Sequence, residues 1–517
     1  MHANHLGVLL SGLLVSAKSA SASSILFSGG TIIAFDRATN SLDVIRNGSV
    51  LVTDDRITSV FAGSVPPSSV SIPSDVEEVD ITNKILTPGF IDTHRHGWQT
   101  AYKTLGSNTS LVDYFNRFGE FPTAANYPFT PEEIYYSQLA GLYEALNAGV
   151  TTTLDHAHGT FSNATSSASF QASIDSGARV FWAYAFHELE NYPLSEQFAH
   201  YRSIFTEAPH LNTPTTLGIA YDGFGPNPNQ EIISTIISLT HETNASVLTT
   251  HSVQGPYGIT NSPEDFAAQS LFTSLPPTTP IVFSHASFLS AVGAQLLRTY
   301  NHTISITPES EMHYGHTHPT SHLILDHASI GVDTHFTFST DILTQTRMWL
   351  QSVRRLLYAE VLNRWQVPVN NPMSANQAFL LATRNGGLSL RREDLGIIAP
   401  GAKADLVIWD GGTGPNMWGW RDPVAAVVLH GNVGDVEGVV VDGRWKKRGG
   451  KLTDERFEDV KMKFAEVARR VQDRVVEAGV GLPGEGERFV VSGLEFGNST
   501  VVDVQVGEGD GYGGLFL

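Results

Sequence analysis

The chain has 517 residues, enough for about three average domains or for one large α/β barrel carrying a smaller module. Lys+Arg 32 against Asp+Glu 52 leave a net charge of −20, which repels phosphate backbones and anionic bilayers and so excludes nucleic acid as the natural partner. With no Cys, disulfides, thiolate metal sites and cysteine nucleophiles are ruled out, and any bound metal has to be held by His and carboxylate.

The first residues read as an address. Leu6–Ala17 is an apolar run too short to span a bilayer, followed by Ala20-Ser21-Ala22, an A-x-A-type cleavage site, so residues 1–22 are expected to be a signal peptide of a secreted chain. Sequons at Asn47, Asn108, Asn163, Asn244, Asn301 and Asn498 are compatible with that route, and no later run is long enough for membrane insertion.

Residues 24–84 then show short β segments separated by turn residues: Gly29-Gly30, Asn47-Gly48, Asp54-Asp55 and Pro66-Pro67. A second set appears over 401–451, in Ala404–Trp409, Val424–Leu429 and Gly438–Arg444. Neither set buries an inner face alone, so the two are expected to form one small β-sandwich built from both chain ends.

Between them, residues 85–400 alternate apolar β-rich runs with helical stretches. The runs are 85–93, 150–154, 178–184, 216–220, 246–250, 281–284, 303–306 and 335–339. Eight near-continuous apolar strands separated by helices predict a parallel (β/α)₈ TIM-type barrel. A doubly wound sheet is the alternative, but no Gly-rich phosphate loop follows the first strand. Residues 452–517 read as a charged amphipathic helix and a Gly/Val-rich tail. No Lys occurs between Lys103 and Lys403, so the barrel offers no lysine for a Schiff base or a carboxylated metal bridge.

A barrel places its chemistry at the C-terminal ends of its strands. His94 and His96 flank Arg95 at the end of the first run, and a spacing of two points both imidazoles to one face. His251, His285 and Asp341 close the fifth, sixth and eighth runs. Each alone reads equally as a buried, hydrogen-bonded residue or a helix cap, but together, in this order, they suit Zn²⁺ or Fe²⁺ with room left for water.

The stretch Pro88–His96 with Gln99, Gly149–His156, His251, His285, Ser339–Asp341, Pro400–Val407 and Val441–Gly443 resembles the amidohydrolase superfamily from about residue 24 to 451. Within it the chain is most similar to the mononuclear branch of cytosine and guanine deaminases and triazine hydrolases. That resemblance implies one divalent ion per chain, zinc first and iron second, on His94, His96, His251 and Asp341, with Asp341 also taking the proton of the bound water. His285 would contact water or substrate.

One departure stands out. Deaminases of this branch carry a proton-shuttling Glu three residues after the fifth-strand His, where this chain has Gln254, a carboxamide that can orient a substrate but not move a proton at neutral pH. The segment 307–319 offers Glu309 or Glu311 as replacement shuttle and His313, His316 or His318 to read the substrate, or else forms a rigid lid. Trp98, Gln99, His156, His187 and Glu188 lie at strand ends, where lining a pocket and packing are equally good readings.

The expectation is therefore a metal-dependent hydrolase of non-peptide C–N bonds in a small cyclic substrate (an amide, a lactam or an amino-heterocycle), secreted or held in the secretory pathway, with a cytoplasmic enzyme as the alternative. Its rivals are amino-heterocycle deamination with a replaced shuttle and a non-catalytic assembly protein on the same barrel; a homo-oligomer is compatible with each. N-terminal sequencing of protein from the native host is expected to give a start near Ser23, and an intact Met1 would contradict export.

Overall fold

The computed structural model describes residues 24–500 and 502; the expected signal peptide at 1–22 and the end of the tail lie outside the described residues. The chain opens with β1 (Ser24–Asp36), β2 (Ser41–Thr53), β3 (Arg56–Ala62), β4 (Glu77–Asp80) and β5 (Ile85–Pro88). The barrel follows as β6 (Phe90–Arg95), β7 (Val150–Ala157), β8 (Arg179–Phe186), β9 (Thr216–Tyr221), β10 (Leu248–Val253), β11 (Ile281–Ser287), β12 (Thr303–Ile306) and β13 (Ala328–Ile330). The chain returns to the first module with β14 (Leu406–Trp409), β15 (Val436–Val441), β16 (Arg444–Arg448) and β17 (Lys451–Leu452).

Strands β6 to β13 form one eight-stranded sheet in sequence order, every neighbouring pair parallel. Its two edges meet where Val332 and Asp333 donate backbone N–H groups to His94 O at 3.0 and 2.7 Å, which brings the sheet to near closure as the expected barrel. Ile91, Leu154, Phe181, Ala183, Ala220 and Val282 pack together as an apolar cluster. Nearer the catalytic end the buried side chains turn polar, and the Thr93 hydroxyl sits 2.7 Å from that of Ser305 and 2.8 Å from that of Ser329.

Three expectations need correcting, the first being Val424–Leu429, which is not a strand but helical over Pro423–Ala425 and Ala426–His430. The run at 85–93 is split at Gly89, so that β5 pairs with β1 and β14 in the end module and the barrel starts at Phe90 rather than at residue 85. The eighth barrel strand is β13, not 335–339; the apolar character of that stretch comes from Phe336, whose ring packs 5.6 Å from Tyr102 and 5.4 Å from Phe118.

Both chain ends join in one nine-stranded mixed sheet, with β5 and β14 antiparallel at the seam. Trp445 on β16 meets Phe27 on β1 at 5.8 Å although three strands lie between them in the sheet order, so the sheet closes over a shared core with Ile32, Val50, Leu86 and Val440. The Ala404-Asp405 segment couples this module to the barrel. Asp405, 4% exposed, receives Arg179 of β8 in a bidentate pair at 2.8 and 3.1 Å, and Arg179 also bonds Asp442 at 2.7 Å. The expected C-terminal helix spans Phe457–Ala478 and lays Val467, Val471 and Val475 into the aromatic cluster around Trp98 and Tyr102. No helix among the described residues is long and apolar enough to cross a membrane.

Removing one partner of a buried bidentate pair strands a charge in the interior. Asp405→Ala is therefore expected to destabilise the fold by ~3 kcal/mol in denaturant titrations, and a loss below about 1 kcal/mol would show that Asp442 alone satisfies Arg179.

Candidate active site

The strand ends converge as the alternation of β6 requires: His94 and His96 point the same way, their rings 4.8 Å apart. His251 Nε2 lies 3.2 Å from His96 Nε2, and Asp333 Oδ1 lies 3.4 Å from His94 Nε2 and 3.1 Å from His96 Nε2. His285 Nε2 is 4.0 Å from Asp333 Oδ2. Three sets of donor atoms here lie close enough to share an ion: His94, His251 and His285; His94, His96 and Asp333; and His156, Asp222 and His251.

What aims these nitrogens inward is the partner on the far side of each ring. His96 donates Nδ1–H to His156 O at 2.9 Å, and His251 donates Nδ1–H to Asp222 Oδ2 at 2.8 Å. His94 Nδ1 is 2.8 Å from the Ser284 hydroxyl, and His285 Nδ1 is 2.8 Å from that of Thr307. Each Nδ1 is thus occupied, leaving the Nε2 lone pairs directed at a common point; the buried His94 Nε2 has no hydrogen-bond partner. A fully buried, unpaired nitrogen facing two more imidazoles and a carboxylate is a poor packing arrangement and a good donor set for a divalent ion, so the residues fit a metal. His285 and Asp333 also hold positive φ values of 67° and 69°, costly for non-glycine residues (of order 1–3 kcal/mol each) and a sign that their aim matters more than backbone comfort.

Asp341 lies outside this cluster. Its carboxylate caps the helix Ile342–Leu362, accepting from Leu343 N at 2.9 Å and Thr344 Oγ1 at 2.7 Å. Asp333, three residues past the true last strand, occupies the position expected of Asp341.

The shuttle candidates are also displaced. Glu309 accepts from Gln345 Nε2 at 2.8 Å, outside the cavity lining. Glu311 is fully buried behind His285, accepting from Thr307 N at 3.0 Å and lying 2.9 Å from His318 Nδ1. Burial pushes its carboxyl up, but the His285 ring, with Nδ1 3.8 Å away, and the hydrogen bond from His318 outweigh burial and hold it at about 2, so it stays ionised and acts as a brace. Gln254 follows β10 without joining the lining. Trp98 donates to His158 Nδ1 at 3.0 Å, and Gln99 donates to Tyr114 Oη at 3.1 Å and Phe118 O at 2.9 Å; both support the wall from behind. His156 supports His96 and lies 3.4 Å from Asp222, while burial, aided by His251, keeps its ring neutral with a pKa near 3. His316 lines the cavity as expected, 5.0 Å from His285 and 2.9 Å from the Ser287 hydroxyl. His313 turns away to Gly106 O.

The cavity, about 170 Å³, also takes in Tyr114, Glu120, His158, Asp222 and Tyr314, none of which was singled out from the sequence. Two had a usable signal: Asp222 closes the apolar run of β9 just as His251 closes β10, and His156-Ala-His158 repeats the H-x-H spacing of β6. Glu120 had none, since the short helices Leu111–Arg117 and Glu120–Asn126 that carry it and Tyr114 to the cavity leave no mark of a strand end. Phe489 of the tail stacks on Phe115 of the lining at 6.1 Å.

The model of the amidohydrolase family matches residues 85–446. The chain belongs to the amidohydrolase family. It is an enzyme, a metal-dependent hydrolase of C–N bonds other than peptide bonds in small molecules. This amidohydrolase is 24% identical over 426 residues to 5'-deoxyadenosine deaminase of Methanothermobacter thermautotrophicus, covering 79% of this chain and 91% of that protein. It is 24% identical over 430 residues to 5-methylthioadenosine/S-adenosylhomocysteine deaminase of Thermococcus kodakarensis, covering 81% and 93%. Among solved structures, an adenosine deaminase from Xanthomonas campestris with bound zinc superposes with a TM-score of 0.72 at 15% identity, covering 88% of this chain and 99% of that one. A variant of atrazine chlorohydrolase from Arthrobacter aurescens, complexed with zinc and atraton, does so with 0.72 at 18% identity, covering 86% and 100%. These two likenesses establish the shared fold.

Glu311 provides a pH test. Its folded value lies below the ordinary value of 4.5, so its stabilisation is full above about pH 4.5 and is lost as pH falls through about 2. Glu311→Gln is expected to cost ~3 kcal/mol at pH 7, with the gap to wild type closing towards pH 3 in denaturant titrations at both pH values. A gap independent of pH would assign Glu311 a packing role only.

Proposed function

We propose that His94, His96, His251 and Asp333 hold one divalent ion, zinc first and iron second, and that the site hydrolyses an amide, a lactam or an amino-substituted ring in a small cyclic substrate. The observation that carries this reading is the convergence of three imidazole Nε2 atoms and Asp333 Oδ1, each ring oriented by a bond at its other nitrogen. When bound, such an ion lowers the pKa of water to near neutrality and polarises the bond under attack.

The protein's own groups divide the remaining work. Asp333 keeps its second oxygen towards Ser310 and His285, a placement that lets it accept the proton released by the attacking water. His285, whose Nδ1–H is held through Thr307 by Glu311, faces the same point with the acceptor nitrogen Nε2, which is placed to take a hydrogen bond from the attacking water and orient it towards the substrate carbon. With Gln254, Glu309 and Glu311 away from the cavity lining, Asp333 is also the group placed to return the proton to the leaving nitrogen. Release of ammonia from an amino-heterocycle is the form favoured by the deaminases among the relatives. An assembly protein gains nothing from unpaired buried imidazole nitrogens, and the cluster argues against that role. The secretory reading is supported by the exposure of all six sequon asparagines.

Metal analysis of purified variants tests the ligand set. Wild type is expected to carry one ion per chain; Asp333→Ala should lose it together with all activity, and Asp341→Ala should keep it. Retention in the first or loss in the second overturns the assignment. A panel of amides, lactams and amino-heterocycles, with ammonia release read separately from ring opening, tests the reaction, and no turnover of any class by the zinc-loaded protein would refute it.

A further inference from the structure

The cavity wall carries a charge pattern that the hydrolytic centre does not explain. Leu111, Tyr114, Phe115, Val253, Ile259 and Tyr314 supply an apolar and aromatic surface, and three carboxylates, Asp333, Asp222 and Glu120, open onto it. No Lys or Arg is present among the described lining residues, so the carboxylates outnumber the charge of a bound divalent ion.

Two of the three are already engaged. Asp333 faces His94 and His96, and Asp222 is bound by His251 and His156. Glu120 is not. Among the described residues the basic atom nearest its carboxylate is His158 Nδ1 at 3.9 Å. That nitrogen already accepts the Trp98 indole N–H, so it has no proton to offer Glu120. The Glu120 side chain is only 21% exposed, so its charge is part-withdrawn from water with no cation beside it and with aromatic rings across the cavity. A part-buried carboxylate in an aromatic pocket attracts an organic cation twice over, by charge-assisted hydrogen bonds and by the negative faces of the rings. The chain's net charge of −20 draws cations towards the mouth and repels anions.

We infer that the substrate carries a positively charged ammonium or amidinium group seated against Glu120 and the rings of Tyr114 and Phe115, and carries no anionic group. Calling that ligand a substrate rests on the hydrolase reading above; the charge selection itself does not, because it resides in Glu120 and the aromatic rings and not in the histidine cluster. Nucleotides and other phosphorylated or carboxylated ring compounds are excluded by the same carboxylates.

Isothermal titration with benzamidinium, benzamide and benzoate tests this, since the three share a flat ring and differ in charge. On the metal-free protein at pH 7.5, benzamidinium is expected to bind about tenfold or more tightly than benzamide, and benzoate more weakly still. Glu120→Gln should erase the difference between the first two, and Glu120→Asp should keep part of it. Equal binding of benzamidinium and benzamide to the wild type overturns the inference, as does a preference that survives Glu120→Gln. The same titrations on zinc-loaded protein are expected to keep the order of benzamidinium over benzamide; its reversal would likewise count against the inference. Because binding needs no turnover, a cation preference with an inactive substrate panel would remove the hydrolase reading and leave this one standing, and the converse would do the opposite.

Discussion

The arrangement at the barrel mouth depends on one constraint: an imidazole can offer a lone pair from Nε2 only while its Nδ1 carries the proton. Four rings have Nδ1 bonded to a backbone carbonyl, a carboxylate or a hydroxyl, each supplied by a different strand or strand end. The donor set therefore exists only while the barrel holds those strands in register. Breaking one ring's outer bond would free it to rotate or change tautomer, and the common point would be lost.

That register is secured from outside the site. The barrel nears closure through backbone bonds from Val332 and Asp333 to His94 O, so the edge that closes the sheet also places the carboxylate beside the first two imidazoles. At the opposite end, Arg179 ties β8 to Asp405 and Asp442 of the end module. The end module thus braces the barrel with an ion pair too deeply buried to be exchanged for water, which accounts for the position of the Ala404-Asp405 segment far from the chemistry.

The cavity wall is built by a different rule. Its helices come from the long connection after β6 and are pinned by Gln99 through Tyr114 and Phe118, with the C-terminal helix adding Val467 and Val471 to the same cluster. The histidine cluster rests on the strand ends, whereas Tyr114, Phe115 and Glu120 of the wall rest on the connection after β6. Changes in the wall can alter what is bound without disturbing the ligand set, as expected of a barrel whose rigid strands hold the chemistry while its loops set selectivity.

The sequence by itself determined the barrel, the module made from both ends, the four histidines of the cluster and the exclusion of thiolate and lysine chemistry. Strand runs rich in β-branched residues and the H-x-H spacing are local signals, readable without any contact between distant residues. Tertiary structure decided the rest. The last strand is three residues long, too short for any periodicity, while the apolar run after it owes its character to Phe336 packing beneath Tyr102 and Phe118; the carboxylate of the site was accordingly expected at Asp341, a helix cap, instead of at Asp333. Glu311 looked like a free acid and proved to be a buried brace, because its neighbours His285 and His318 arrive from elsewhere in the fold or around a turn. Glu120 and Tyr114 reach the cavity from short helices with no strand-end signature. Which polar residues share a pocket is a property of how segments cross in space, and a periodicity read along one dimension carries no information about that crossing.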